Sequence, residues 1–412
     1  MRVLIVTQYF WPESFRVNDL AVEFKGRGYD VTVLTGMPNY PSGHFFAGYG
    51  LFSPSKEEWE DIPVHRVPLI PRGSGQRWRL ALNFISFALS ASAIGPFRCR
   101  GCFDVIFVYE PSPITVGLPA IVLKKLKHAP IIFWVQDLWP ESLSATRAVK
   151  SKRVLSWVER MVRFIYRRCD LILAQSKGFV PHVVAMGADV ARVEYFPNWA
   201  ENCYRPVTVE ADAPERKEMP KGFCVMFAGN IGAAQSFETI LEAATLLRDR
   251  HDIHWLVVGD GHRRTWVEGE IVARGLKENV HLLGSRPAES MPRYFALADV
   301  LLVTLKRDPI FGLTIPSKVQ SYLACAKPIL AALDGEGARV VRESGAGIVC
   351  PAEDAKALAD SVLRLYHMSP EERDGMGRNG RVYFEAKFER EHLLDQLELW
   401  MQGLLREKSC GF

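Results

Sequence analysis

Cys224-Val225-Met226-Phe227-Ala228-Gly229-Asn230-Ile231-Gly232 lies just past the middle of this 412-residue chain. It opens with an unbroken apolar run, short for a helix and suited to a strand covered on both faces. Gly229 and Gly232 interrupt the run with a turn that lets backbone approach a ligand closely. Phe237–Arg248 then takes up helical spacing. The same unit recurs downstream. His254–Val258 runs into Gly259-Asp260-Gly261 and the helical stretch Arg263–Arg274. Val280–Leu283 runs into Gly284-Ser285-Arg286-Pro287 and Ala288–Leu297. Val300–Thr304, Pro328–Ala332 and Gly347–Val349 are further strand candidates, with Ser317–Ala324 helical among them. Repeated strand–turn–helix units predict a parallel sheet clothed in helices.

The first half carries an independent set of the same units. Val3–Thr7, Val31–Thr35, Asp104–Tyr109, Ile131–Val135 and Leu171–Ala174 are short apolar runs, and Asp19–Gly26 is helical in pattern. Single cores stop growing near roughly 250–300 residues, so a chain of this length is expected to hold two domains. Phe196-Pro197-Asn198-Trp199 and the polar stretch Arg205–Lys221 mark the break. The expected organisation is an α/β Rossmann-like domain over residues 1–195, a linker over 196–220 and a second such domain over 221–388. A last helix, in 389–412, packs back on the first domain. Two facing doubly wound domains would place a ligand cleft at the carboxyl ends of their strands.

Composition narrows the function classes. Hydrophobic residues make up 48% and charged residues 24%, an ordinary soluble balance, and a net charge of +4 gives no case for nucleic acid. The eight cysteines show no C-x-x-C and no zinc-like spacing, so reduced thiols are expected. Met1-Arg2-Val3-Leu4-Ile5-Val6 reads as a buried strand and not as a leader, and no apolar run reaches the roughly 18–20 residues of a membrane span. Any membrane association is therefore expected to be peripheral.

Anion-binding signals lie at the turns. Arg16 and Asn18 stand where the loop after the first strand enters a helix, and N–H groups there favour anions. The bland reading is a surface arginine and a capping asparagine. Gly229, Asn230, Gly259 and Gly261 line the two glycine turns, although neither is a G-x-G-x-x-G motif. Pro316-Ser317-Lys318 opens a helix after a glycine-containing loop. Ser317 can cap it and Lys318 adds a cation, together a plausible diphosphate clamp. Arg286 either stacks on a base after its strand or is solvated.

As an ordered set, these residues resemble the retaining glycosyltransferases of family 4, of the GT-B fold, and within them bacterial O-antigen and capsule enzymes of the fucosamine-transferring type. The resemblance covers nearly the whole chain. It rests on Tyr9-Phe10-Trp11-Pro12-Glu13, Leu34-Thr35-Gly36-Met37-Pro38-Asn39-Tyr40-Pro41, Trp134-Val135-Gln136-Asp137-Leu138-Trp139-Pro140-Glu141-Ser142, the two glycine turns, and Pro316-Ser317-Lys318 with Ser321-Tyr322-Leu323-Ala324. The chain departs from the family pattern in several places. Ser14-Phe15-Arg16 stands where many members have a Gly-Gly pair. Asn230 and Gln235 occupy the region of two phosphate-binding cations. Ser321 falls where a second glutamate is usual, and Gln136 where a histidine often ends the central strand.

The resemblance implies a sugar transfer with retention, through an oxocarbenium-like transition state with a nucleotide diphosphate leaving. That chemistry needs stabilised phosphate charge and no metal or other cofactor. Lys318 and Arg16 are the candidate electrostatic groups, and Asp137 the group orienting an acceptor hydroxyl or else a helix cap. Glu110 and Gln136 are expected on the acceptor side with Asn18, and Glu336 against donor hydroxyls. The implied donor is a UDP-sugar, an N-acetylated 6-deoxyhexose, and the implied acceptor a lipid-linked saccharide. A membrane partner fits the residues as well. Arg77-Trp78-Arg79 leads into the apolar segment to Leu89, and cations gather at Lys124-Lys125-Lys127 and along Lys150–Arg168. The segment is either a core helix or an interfacial one on the anionic inner face of the plasma membrane, which makes the protein cytoplasmic and peripheral. A nucleotide-sugar epimerase of the same fold and a non-catalytic membrane scaffold are the competing readings; nucleotide release with a supplied acceptor separates them.

Overall fold

The structure, a computed structural model, describes every residue apart from Phe52, Ser74, Gly75, Thr146, Arg147, Ala148, Lys150, Gly411 and Phe412, with backbone alone at Ser144, Ala145, Lys408, Ser409 and Cys410. Lys150, where the expected basic stretch begins, thus lies outside the described residues, as do the last two positions. The chain divides into two compact units, Met1–Phe196 with Leu397–Phe412, and Pro197–Gln396.

The first unit runs β1 (Arg2–Val6), α1 (Arg16–Gly26), β2 (Asp30–Gly36), β3 (Lys56–Trp59), β4 (Ile62–Val67), α2 (Arg77–Arg98), β5 (Val105–Glu110), α3 (Gly117–Lys127), β6 (Ile131–Val135), α4 (Glu141–Ala145), α5 (Lys152–Tyr166), β7 (Leu171–Ala174), α6 (Phe179–Ala185) and β8 (Val193–Tyr195). The sheet order is β3-β4-β2-β1-β5-β6-β7-β8, parallel throughout except for β3. Every residue of β5 and β6 is buried, as expected of central strands covered by helices on both faces. The β3–β4 pair carries little sequence signal. Its turn places Glu60 and Asp61 at φ of 49° and 56°, a conformation usually given to glycine or asparagine.

The second unit contains α7 (Pro214–Lys217), β9 (Phe223–Ala228), α8 (Phe237–Leu246), β10 (Ile253–Val258), α9 (Arg264–Ala273), β11 (Val280–Gly284), α10 (Met291–Leu297), β12 (Val300–Thr304), α11 (Pro309–Gly312), α12 (Ser317–Ala324), β13 (Ile329–Ala332), α13 (Gly335–Glu343), β14 (Gly347–Cys350), α14 (Ala355–His367) and α15 (Pro370–Lys387). The last helix, α16 (Arg390–Cys410), begins in this unit and belongs to the first from Leu397 onward. The six strands are all parallel, in the order β11-β10-β9-β12-β13-β14. Alternate residues of β9 enter opposite cores: Val225 and Phe227 join one, Cys224, Met226 and Ala228 the other. That is the period of two expected of a strand between two helical layers.

Strand order reverses between β1 and β5 in the first sheet and between β9 and β12 in the second. Loops at the carboxyl ends diverge at such a point and leave a crevice. Both glycine turns of the second unit therefore open beside its reversal, after β9 and β10.

The apolar segment after Arg77 becomes the 22-residue α2, which is long and apolar enough by composition to cross a membrane, correcting the expectation that no run reaches that length. It is split along its length. Asn83, Phe87, Ala88, Ala91 and Gly95 are buried in the fold, while Trp78, Leu82, Ile85, Leu89 and Phe97 are exposed. Helix α2 packs on α3 and α3 packs on α5, so the three form one helical layer over the sheet.

Candidate functional site

The second unit holds a cavity of about 540 Å³ at the β9–β12 reversal. Its walls include Gly229, Asn230, Gln235, Gly259, Arg286, Ser317, Lys318 and Tyr322. Close backbone packing forms the floor. A Cβ on Gly259, whose φ is +148°, would stand 1.9 Å from the Gly229 carbonyl oxygen. A Cβ on Gly229 would meet Lys318 Cε at 2.7 Å. These glycines are required by the crossing of two turns, which brings the Lys318 side chain over the first of them.

Lys318 is the only amine on that floor among the described lining residues. Its Nζ donates to Gln235 Oε1 at 2.6 Å and lies 3.6 Å from the Phe227 ring centroid. Among the described residues no carboxylate pairs with it, and burial pushes its pKa down from 10.5 to about 7. An ammonium held this way gains much from an anionic ligand, because low-dielectric surroundings strengthen the attraction. The loop carrying Gln235 is tied to the end of β12: the Thr304 hydroxyl donates to the Gln235 carbonyl and the Lys306 N–H to that of Ala234. At the start of α12, Pro316 holds the cap position and no side chain caps the helix. Ser317 is the first helical residue, exposed toward the cavity, and not the cap that its position suggested.

Arg286 lines the same cavity, with its guanidinium engaged. It donates to Tyr294 Oη at 2.8 Å and to Glu218 at 2.7 Å. Gly261 does not line the cavity; a Cβ there would lie 2.5 Å from Asn230 Oδ1, so it serves packing behind the wall. Glu336 also lies outside the cavity lining, in the first turn of α13, where Arg339 donates to both its oxygens at 3.0 and 2.8 Å. Tyr322, unremarked in the sequence beyond its place in a motif, donates its hydroxyl to Leu302 O and accepts from the Ala228 N–H.

The first unit has its own cavity, about 320 Å³, at the β1–β5 reversal. Tyr9, Phe15, Tyr40, Arg72, Phe84, Ser112, Asp137, Trp139 and Ser142 are among its walls. Tyr9 and Phe15 stack at 5.2 Å, Tyr40 tilts against both, and Phe84 meets Trp139 edge-on. The loop after β1 is pinned from beneath by Glu13, which is buried and accepts from the N–H groups of Asn39, Tyr40 and Phe10 at 2.8, 2.7 and 3.2 Å.

Of the acceptor-side candidates, only Asp137 reaches this cavity. Ser142 donates to its Oδ1, and burial raises its pKa. Glu110 is fully buried at the end of β5, behind Asp137, and burial followed by the Asp137 charge holds its carboxyl well above the usual range. Gln136 follows β6 directly, beside Asp137, and its carbonyl accepts from Gln175 Nε2 at 2.7 Å. Asn18 turns back to donate its amide to Glu13 O at 2.7 Å, and it does not cap α1, whose cap position is held by Phe15 with no side-chain cap. Arg16 opens α1, near enough to Tyr109 to oppose the upward push of burial on that phenol. Among the described residues no group of three or more His, Cys, Asp or Glu side chains converges as metal ligands would.

Comparison with known proteins gives this geometry a family. Residues 14–199 match the glycosyl transferase 4-like domain, and residues 222–368 match the glycosyl transferases group 1. A protein of Escherichia coli K12, provisionally named colanic acid biosynthesis glycosyl transferase WcaI, is 25% identical over 79% of this chain and 81% of its own. WbjE of Pseudomonas aeruginosa, provisionally a glycosyltransferase, is 28% identical over 63% of this chain and 67% of its own. Among solved structures, Anabaena HepE in complex with UDP and glucose superposes with a TM-score of 0.68 at 18% identity, covering 98% of this chain and 99% of that one.

Proposed function

Because this chain belongs to the family 4 glycosyltransferases of the GT-B fold, we propose that it moves a sugar from a UDP-linked donor to a lipid-linked saccharide during synthesis of a bacterial surface polysaccharide. The sugar is of the N-acetylated 6-deoxyhexose class, and its anomeric configuration is retained. The observation that carries this reading is Lys318, a partly buried amine with no carboxylate partner among the described residues, on the floor of a cavity built from two glycine turns. The cavity suits a diphosphate, and the UDP held by Anabaena HepE in the same fold supports uridine as the base.

In the transfer the bond from the anomeric carbon to the diphosphate oxygen breaks and one to the acceptor oxygen forms. Negative charge grows on the departing phosphate. Lys318 and the uncapped N–H groups of α12 stabilise it without reorganising, the arrangement that gives electrostatic catalysis its size. Asp137 orients the acceptor hydroxyl as a hydrogen-bond acceptor. Neither step calls for a metal or a resident cofactor, so chelators should leave the rate unchanged.

The helical layer of α2, α3 and α5 is the surface for an anionic membrane. Exposed Trp78, Leu82, Ile85 and Leu89 stand on α2, exposed Trp157 on α5, and Lys152, Arg153, Arg160 and Arg167 are exposed along and beside α5. On this reading the protein works at the inner face of the plasma membrane as a peripheral enzyme, which the exposed apolar and cationic side chains of this layer support. Thermal stabilisation by a panel of UDP-, GDP- and dTDP-sugars, followed by turnover with those that bind, tests the donor assignment. UDP-sugars are expected to stabilise; stabilisation by a GDP-sugar and by no UDP-sugar overturns it.

A further inference from the structure

Two histidines meet at the edge of the second sheet. His254 is the second residue of β10 and His281 the second of β11. The register pairs His281 with Leu256, so the two rings stand on one face of the sheet, a diagonal step apart. β11 is an edge strand bonded to β10 alone, and four of its five residues are only half-buried. Its hold on the sheet therefore depends on cross-strand side-chain contacts.

The ring contacts fix the protons. His254 is 7% exposed, with Nε2 3.1 Å from the Lys221 carbonyl and Nδ1 3.2 Å from His281 Nε2. A carbonyl only accepts, so His254 Nε2 carries a hydrogen. In the neutral pair Nδ1 of His254 is then bare and accepts from His281 Nε2–H. One added proton is accommodated on His254 Nδ1 when His281 moves its own hydrogen to its other nitrogen. The Glu278 backbone carbonyl is within reach of that ring to accept it. A second proton has no such place. Both facing nitrogens then carry hydrogens, and two positive rings meet at 3.2 Å.

The other titratable groups around the pair are few. Asp252 lies two residues before His254 and accepts from Tyr366, Glu278 lies just before β11, and the Lys221 ammonium is on the segment entering β9. The Cys224 thiol, opposite His254 on β9, is kept protonated by burial. Among the described residues no carboxylate forms an ion pair with either ring. Burial, then the facing ring, holds the pKa of His281 below the ordinary 6.5. The pair's contribution to stability is thus present above 6.5 and lost as pH falls through the lower value of the folded protein.

Two routes tie the pair to the cavity of this unit. Lys221, whose carbonyl His254 holds, follows by three residues Glu218, which holds Arg286 at 2.7 Å in the cavity wall. β10 and β11 also run directly into the turns that supply Gly259, Asp260, Ser285 and Arg286 to that wall.

We propose that His254 and His281 form an acid-released clasp. With one added proton or none, they fasten β11 and the Glu218–Lys221 segment to β10. With two they part, which loosens the Ser285–Arg286 wall and weakens nucleotide binding in the cavity. The clasp is independent of what the cavity binds; its effect on nucleotide rests on the proposed donor site.

Hydrogen exchange of the full chain without ligand, at about pH 7.5 and about pH 5.5 and corrected for intrinsic rates, tests the clasp. Protection of β11 relative to β13 should fall by about tenfold or more at the lower pH, the worth of one pKa unit. In His281→Gln the side-chain amide donates to a bare Nδ1 or accepts from a protonated one, so the relative protection should stay constant. No fall in the wild type, or an equal fall in the variant, overturns the clasp. UDP affinity by calorimetry tests the link to the cavity. A phosphate with its second pKa near about 6 titrates in this range too, so the variant is the reference. The wild type should lose about threefold or more beyond the loss in His281→Gln, and an equal loss overturns the link. An acid-sensitive β11 with no UDP binding at either pH overturns the donor-site reading and leaves the clasp standing.

Discussion

Nζ of Lys318 lies 2.6 Å from Oε1 of Gln235, an amine and an amide facing each other on the floor of the second unit's cavity where a carboxylate would have made an ion pair. The arrangement leaves the cation uncompensated until an anion arrives. Lys318→Ala is therefore expected to lower kcat by about 100-fold or more, the scale of one lost preorganised electrostatic contact. Helix α12 should persist, because its buried residues, Val319 to Ala324, are untouched. Turnover near that of the wild type, with circular dichroism unchanged, would mean that the lysine is only a surface charge.

The same amine predicts a proton linkage. Burial puts its pKa at about 7 against the usual 10.5, so above neutral pH it is largely unprotonated in the empty protein. The sign follows from which state the diphosphate prefers. Binding favours the ammonium, raises its pKa and draws in a proton, so UDP affinity should fall as pH rises above about 7. Calorimetry at pH 8 in two buffers of different ionisation enthalpy should show net proton uptake on UDP binding, and Lys318→Gln should remove it. Proton release, or uptake unchanged in the variant, contradicts the assignment.

How far the sequence discloses such a site depends on what each residue does. Apolar runs at regular spacing made both sheets legible, because strands buried on both faces leave little other choice of residue. Gly229, Gly259, Ser317 and Lys318 were legible as a group and share one cavity. Gly261 was misleading, since a glycine demanded by close packing against Asn230 and the Ile231 carbonyl looks the same in sequence as one demanded by a ligand. Arg72 gave no signal: its place in the wall of the first cavity comes from Tyr9 and Tyr40, which reach it from distant loops. Helix α15 was hidden by its own glycines. A Cβ at Gly377 would stand 2.1 Å from Ala326 O, and one at Gly380 would meet Leu323 Cδ2 at 2.9 Å, so close packing with the α12 region displaced good helix formers.

Glu13 gives a stability prediction. Its carboxyl, 2% exposed, has its pKa raised by burial from 4.5 to about 7. Between those values the folded state holds a proton that the unfolded chain has released, so this group's contribution to stability is full below about 4.5 and is lost as pH rises through about 7. Glu13→Gln should flatten that part of the stability profile. It should also cost about 1–3 kcal/mol, since an amide NH₂ would face either the Phe10 N–H or those of Asn39 and Tyr40. Urea unfolding at several pH values measures both effects; an unchanged profile would assign the pH dependence elsewhere.

The proposed membrane surface yields the last prediction, which the structure refines residue by residue. Arg163 is committed to Glu159 and to the Ala185 carbonyl, and Arg168 lies 3.6 Å over the Phe164 ring, so both have work within the fold. Lys152, Arg153, Arg160 and Arg167 are exposed and better placed to meet lipid headgroups. Each cation near an anionic surface contributes roughly 1 kcal/mol, so changing all four to glutamine should weaken vesicle binding by about 4 kcal/mol at most. Added salt should weaken wild-type binding in the same direction, because exposed charges are screened beyond about 8–10 Å. Transfer to a long-chain acceptor embedded in anionic vesicles should fall in the variant, while transfer to a short-chain soluble acceptor should persist. An equal fall with both acceptors would show that the cations serve the fold of α5 instead of the membrane, and sedimentation with vesicles that is insensitive to salt would remove electrostatics from the association.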